Sequence, residues 1–364
     1  MVVEIQTFGC REQPGPCVFR QSLCSCYHYV DFVTPLPLPI VKMPSILPTL
    51  VVAATAATAS SVQSTMKAAD PAAWAPLKEQ LDAWVFTENF GFTVGDKTGP
   101  LFEYTHGKFD LDTTECELAS TSKWPLAMMF VGLVNDGTIE SLDTPANKYV
   151  PWWTTDPADP KSKITLRHLL SFTSGFGEGT PGQENSTATC MDDPAAYPTI
   201  KTYDECSQSI YELTNLTGTP GSHYAYNSVH LQLAGSVALA AMNTSDIQDV
   251  ISKYLLEPYN MTSTTCANPT AERPELAICM KTVGNDYAKF LGSTLSYSVL
   301  PETLVNESEK DATTFLKGYT LYGDYGFGHF LECYDSIYGM TQDCIDAHMY
   351  VCQLIALMGC PCRR

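Results

Sequence analysis

Basic side chains are scarce in this chain. Its 364 residues hold 21 Lys and Arg against 40 Asp and Glu, for a formal charge of −19. The imbalance sits in residues 60–344, where 16 basic side chains face 36 acidic ones. Such a surface repels phosphate backbones and anionic lipid heads, so neither nucleic acid nor a cytoplasmic membrane face is expected as a partner. The seven His show no His-x-His or His-Glu-x-x-His spacing, so no metal site and no cofactor are expected. There is no Gly-x-Ser-x-Gly elbow and no glycine loop of the phosphate-cradling kind, which removes two further chemistries. Repeats and long charge runs are also missing. What is present is apolar: a hydrophobic content of 45% suffices for one large domain or two smaller ones sharing a core.

The run "MPSILPTLVVAATAATASS" from Met43 has a short apolar core followed by Ala57-Thr58-Ala59, a small-x-small cleavage pattern. It is too short and too interrupted by Pro to span a bilayer. It reads as a signal peptide over 43–59, which makes Met43 the expected start. The doubtful leader 1–42, with Cys10, Cys17, Cys24 and Cys26, is then expected to come from a misassigned gene start. Export, no membrane after signal removal, and a secreted destination follow. Asn-x-Ser/Thr sequons agree with that: they occur at Asn185, Asn215, Asn243, Asn260 and Asn306, all beyond the cleavage site. Cysteines past residue 180 fall in near neighbours, Cys190 with Cys206, Cys266 with Cys279 and Cys333 with Cys344, as short-loop disulfides in an oxidising compartment would. Spacing alone leaves all fifteen connectivities of six cysteines open. Cys116 is left over, and a free buried thiol is expected there.

Helical spacing of Trp74, Leu77, Leu81 and Val85 predicts a helix over 70–85. The strand-like runs 90–94 and 100–109 flank "GDKTG" and read as a hairpin. From Leu126 to Val134 nearly every residue is apolar, as a central buried helix requires, and Gly137 suits the left-handed position after it. Residues 165–176 predict a short helix capped by Thr165 and ended by Ser174-Gly175. The stretch 177–222, rich in Gly, Pro, Ser and Thr, predicts a long exposed excursion with helical turns. A buried helix over 228–242, an amphipathic one over 246–258 and a strand in 322–333 complete the order. A sheet interrupted by a helical insertion fits it.

"LASTSKWPLAMMF" (118–130) sets Ser120 and Lys123 at i and i+3, on one helix face. A hydroxyl is a poor nucleophile until a partner takes its proton, and an amine in a dry cleft gives up its charge cheaply. The start of a helix adds backbone N–H groups, half of an oxyanion hole. The same serine could instead simply cap the helix.

The neighbourhood shifts the balance between these. "ASTSKW", "LVNDGTIESLDTPANKYVP" and "ITLRHLLSFTSGF", in that order and spacing, resemble the serine β-lactamase-like family of class C β-lactamases, penicillin-binding esterases and D-aminopeptidases. Residues 70–333 can be laid along it. The resemblance implies an α+β fold, an antiparallel sheet flanked by helices with an inserted all-helical subdomain. Its domain would cover 60–344, with sheet parts at about 70–115 and 287–344 and the helical part at about 116–286, followed by an atypical tail, 345–364. It implies Ser120 as nucleophile and Lys123 as its base. In "YAYNSVHLQLAG" it implies Tyr226 as proton relay, with Asn227 and Ser228 binding substrate. His168 and His223 are read as structural. The family's third element, Lys-Thr-Gly or His-x-Gly on a later strand, has no clear match. Lys97-Thr98-Gly99 precedes Ser120 and reads as a hairpin turn, and the cysteine-rich end, with His348, offers only a position. The fold is therefore expected to be incomplete at the C-terminus. The expected function is a secreted serine hydrolase acting on an ester or amide of a small molecule or peptide. The alternative is an inactive secreted scaffold of the same fold. Oligomeric state stays open.

Overall fold

The computed structural model describes residues 4–9, 63–83, 88–177, 190, 194–316 and 324–331. The third element, His348 and the Cys333–Cys344 pairing lie outside them.

A four-stranded antiparallel sheet comprises β1 (Glu4–Gly9), β2 (Ser64–Ala68), β3 (Phe90–Asp96) and β4 (Gly99–His106), in the order β1-β3-β4-β2. The hairpin is where the alternating pattern puts it. Its turn is made by Asp96, whose Oδ1 accepts the N–H and the hydroxyl of Thr98, so Lys97-Thr98-Gly99 is turn chemistry. Helix α1 (Pro71–Asp82) starts at Asp70, whose carboxylate accepts the Ala72 N–H at 3.2 Å. It lays Trp74 on Phe102, ring centroids 5.0 Å apart, over a small core of Phe90, Phe92, Val94, Phe102 and Tyr104.

The larger core surrounds two helices apolar on every face, α2 (Lys123–Asn135) and α5 (Val229–Met242). Between them come α3 (Leu166–Leu170) and α4 (Tyr203–Leu213), followed by α6 (Ile247–Ile251), which continues into a wider π-type turn to Leu256. Gly137 and Asn243 close α2 and α5 with φ of 79° and 53°. At Gly235 any Cβ would lie 2.1 Å from the Tyr203 hydroxyl, and that phenol donates to the Gln232 carbonyl at 2.9 Å, docking α4 on α5. Helices α7 (Gly284–Leu295) and α8 (Glu302–Ser308) complete this part.

Three expectations change. The excursion 177–222 contains α4, which buries Tyr203, Cys206, Ile210 and Tyr211 and is tied by a Cys190–Cys206 disulfide. One of its threonines starts that helix: Thr202 and Glu205 form a capping box. The helix at 165 stops at Leu170, short of Ser174-Gly175, because Phe172 adopts φ 60°. The expected strand in 322–333 is instead a hairpin of two-residue strands, β8 (Asp324–Tyr325) and β9 (Phe330–Leu331), turned by Gly326 to His329 with Gly328 at φ 75°.

Candidate active site

A three-stranded sheet, β5 (Cys116–Glu117), β7 (Met280–Thr282) and β6 (Thr265–Cys266) in the order β5-β7-β6, anchors the segment before α2. Leu118 N–H donates to the Met280 carbonyl at 2.9 Å, and Met280 N–H donates to Ser122 Oγ at 3.1 Å. The chain is thus clamped to β7 on both sides of Ser120. In between, Ala119 is forced to φ 44°, a left-handed conformation that costs a non-glycine residue about 1 kcal/mol. Ala119 to Ser122 form a 3₁₀ turn, and the α-helix proper starts at Lys123. Pro125 therefore falls in the first turn, where its missing N–H costs no intrahelical bond.

This geometry answers whether Ser120 is a cap. Among the described residues its hydroxyl meets a side chain: Lys123 Nζ donates to Ser120 Oγ at 2.8 Å. The same Nζ donates to the Ala277 carbonyl at 3.2 Å and lies 4.7 Å from the centroid of the Tyr226 ring. Lys123 is 2% exposed, a degree of burial that an amine tolerates only when its hydrogen-bonding needs are met locally. Ser120 is half-buried and reachable.

Tyr226 arrives from the turn before α5 and is framed by the rings of Phe172 and Tyr325, at 5.7 and 6.2 Å. The fully buried His230 pins that turn. Its Nε2–H donates to the Ala225 carbonyl at 2.7 Å and its Nδ1 accepts the Ser174 hydroxyl at 2.9 Å. Burial pushes this imidazole down to about 3, opposed by the Ala225 carbonyl and aided by His223. Asn227, expected beside the substrate, turns inward. Its Nδ2 donates to the Phe176 carbonyl at 3.1 Å and its Oδ1 accepts the Val229 N–H at 3.0 Å. Ser228 Oγ donates to Glu275 Oε1 at 2.5 Å. His168 completes a capping box with Thr165, and His223 faces Thr217 and the Gly177 carbonyl. The β8–β9 turn closes the back of the site: Gly328 N–H donates to the Leu170 carbonyl at 3.0 Å, and His329 packs on Trp124 at 4.7 Å.

Sequence reasoning missed Glu275 and the Ala277 carbonyl. Their signal was the pair of cysteines bracketing them, since the Cys266–Cys279 disulfide closes the loop that carries both. Cys116 is buried and forms no disulfide with another cysteine among the described residues.

The β-lactamase family profile matches residues 111–341. No curated protein matches the chain. Among solved structures, a protein described as a β-lactamase from Bacteroides dorei is 25% identical, with a TM-score of 0.54 over 73% of this chain and 81% of that one. A D-stereospecific amidohydrolase from Streptomyces is 19% identical, with a TM-score of 0.50 over 66% and 77%. With its family profile covering well over half of its length, the chain belongs to the β-lactamase family of hydrolases, whose members act on small-molecule or peptide substrates.

Proposed function

We propose that the protein is a secreted serine hydrolase that cleaves an ester or amide through an acyl-enzyme. The observation that carries this reading is the 2.8 Å contact from Lys123 Nζ to Ser120 Oγ at an amine 2% exposed. Ser120 Oγ attacks the substrate carbonyl carbon and passes its proton to the Lys123 amine, beside the Tyr226 phenol. The C–O or C–N bond breaks, and the proton returns to the leaving group. Water then attacks the acyl-serine, releases the acid and restores the hydroxyl. Ser228 borders the substrate, and Asn227 supports the wall behind it.

Secretion, with a signal peptide over 43–59 and N-glycans on the mature chain, belongs to the same proposal; a mature chain cleaved there would lack β1 (Glu4–Gly9) and keep the order β3-β4-β2. The four sequon asparagines among the described residues, Asn215, Asn243, Asn260 and Asn306, are all exposed, and the disulfides Cys190–Cys206 and Cys266–Cys279 suit an oxidising compartment.

A serine-reactive fluorophosphonate tests the chemistry. The wild-type protein should become covalently labelled and Ser120→Ala should not. Labelling that survives in Ser120→Ala, or is absent from folded wild-type protein, refutes the mechanism and leaves an inactive scaffold.

A further inference from the structure

Two chain segments flank Lys123: Tyr226 lies on one, and the Ala277 carbonyl that receives Nζ lies on the other. They meet again two residues away, where Ser228 Oγ donates to Glu275 Oε1 at 2.5 Å. Glu275 is 6% exposed and Ser228 half-buried. The position of the carboxylate is fixed in advance: Glu275 N–H donates to the Asn268 carbonyl at 2.8 Å, and the Cys266–Cys279 disulfide closes the loop.

A serine hydroxyl has one proton and two acceptor lone pairs. Ser228 commits its proton to Glu275, so it has only lone pairs left to offer a ligand, and a carboxylate stands behind them. Lys123, the amine of the same site, already donates to Ser120 and to Ala277.

We propose that Ser228 and Glu275 form an acceptor-only subsite that selects acyl groups bearing an ammonium or N–H donor and rejects those bearing a carboxylate. The inference rests on Ser120 being the nucleophile and specifies the substrate class of that site. An ammonium at this corner completes a charge-assisted hydrogen bond, whereas a carboxylate meets lone pairs and like charge. The acidic surface of residues 60–344 acts in the same direction at long range.

Three esters of nearly equal shape test it: alanine methyl ester, methyl isobutyrate and monomethyl methylmalonate, which carry an ammonium, a methyl and a carboxylate at one position. In the wild type, kcat/KM should fall about tenfold at each step in that order, the discrimination expected of one charged hydrogen bond. Glu275→Gln should bring the alanine-to-isobutyrate ratio close to one. If Glu275→Gln does not fold, Ser228→Ala carries the same comparison. A ratio that survives the substitution while all three rates drop together makes the pair merely structural and overturns the proposal. So does a wild type that cleaves the methylmalonate ester as well as the alanine ester.

Binding to Ser120→Ala protein needs no acyl transfer and separates this inference from the hydrolase reading. Calorimetry with alaninamide and 2-methylmalonamate should show a preference for alaninamide that Glu275→Gln abolishes, even if no ester is cleaved. Equal affinities overturn the inference whatever the esters do.

Discussion

Acid should destabilise this protein through His230, and the size of the effect follows from its surroundings. The imidazole is fully buried, stacks on Phe172 at 4.8 Å and has both nitrogens occupied. The carbonyl of Ala225 can only accept, so Nε2 carries the hydrogen and Nδ1 takes the Ser174 hydroxyl. A second proton would sit on Nδ1, force the Ser174 hydroxyl to turn from donor to acceptor and place a charge in the core. The folded-state value is pushed down to about 3, while an unfolded histidine titrates near ~6.5. Between those limits the unfolded chain holds one more proton than the folded one. Stability from this group is complete above about pH 6.5 and falls by about 1.4 kcal/mol per unit as pH drops toward 3. At about pH 4.5 the loss is roughly 2.7 kcal/mol, a large share of the ~5–15 kcal/mol that a domain has. Urea unfolding of the wild type and His230→Gln from neutral pH downward measures it. Gln can still donate to Ala225 and accept from Ser174, but it has nothing to titrate. The variant should start less stable because packing is lost, and its stability should decline less steeply by about one proton's worth. Parallel pH slopes, or a His230 ring signal that titrates near its unfolded value in the folded protein, would refute the account.

Two further outcomes follow from the site's supports. Replacing Cys266 and Cys279 together by Ser should cost about 3 kcal/mol by the chain-entropy estimate for a loop of this length, read as a shift in the urea midpoint, and should slow fluorophosphonate labelling because Glu275 and Ala277 ride on that loop. The same change at Cys190 and Cys206 should lower stability with labelling unchanged. Gly328→Ala places a Cβ 2.4 Å from the Lys123 carbonyl oxygen at φ 75°, so a loss of about 2–3 kcal/mol is expected in thermal melts, accompanied by slower labelling.

Elements whose signal is local were legible. The hairpin follows from alternation plus an Asp-initiated turn, α2 and α5 from runs too apolar to face water, and the cap of α3 from Thr165. Elements set by tertiary contact were not. Nothing in "STMKA" announces an edge strand beside β4, and β1 exists only by pairing Glu4–Gly9 with β3. Helix α4 was hidden in a polar, glycine-rich stretch because its burial comes from one narrow face, secured by a disulfide and by the absence of a side chain at Gly235. Phe172 ends α3 early by taking a backbone angle disfavoured for its residue type, held there by packing against His230, Tyr226 and Tyr325.

The candidate site divides along the same line. Ser120 and Lys123 are three residues apart, so helix periodicity alone brings them onto one face, and the sequence could pose the question of cap or nucleophile. What argues against the cap comes from β7, about 160 residues downstream, which clamps Leu118 and Ser122 on either side of Ala119, whose φ is 44°, and the Ser120 hydroxyl meets the Lys123 amine. A cap would have needed Ser120 to start the helix, yet the helix starts at Lys123, and neither Leu118 nor Ser122, the residues at the two cap positions, makes a side-chain cap hydrogen bond: Ser122 Oγ takes the Met280 N–H instead. The strain at Ala119 therefore has a physical consequence: it holds Ser120 off the helix start, where it would be consumed by backbone N–H groups, and leaves its oxygen to Lys123. Ala119→Gly would remove the steric cost while keeping the turn accessible, and for that reason the position tolerates Gly far better than any β-branched residue, whose Cβ substituents would close the left-handed region altogether.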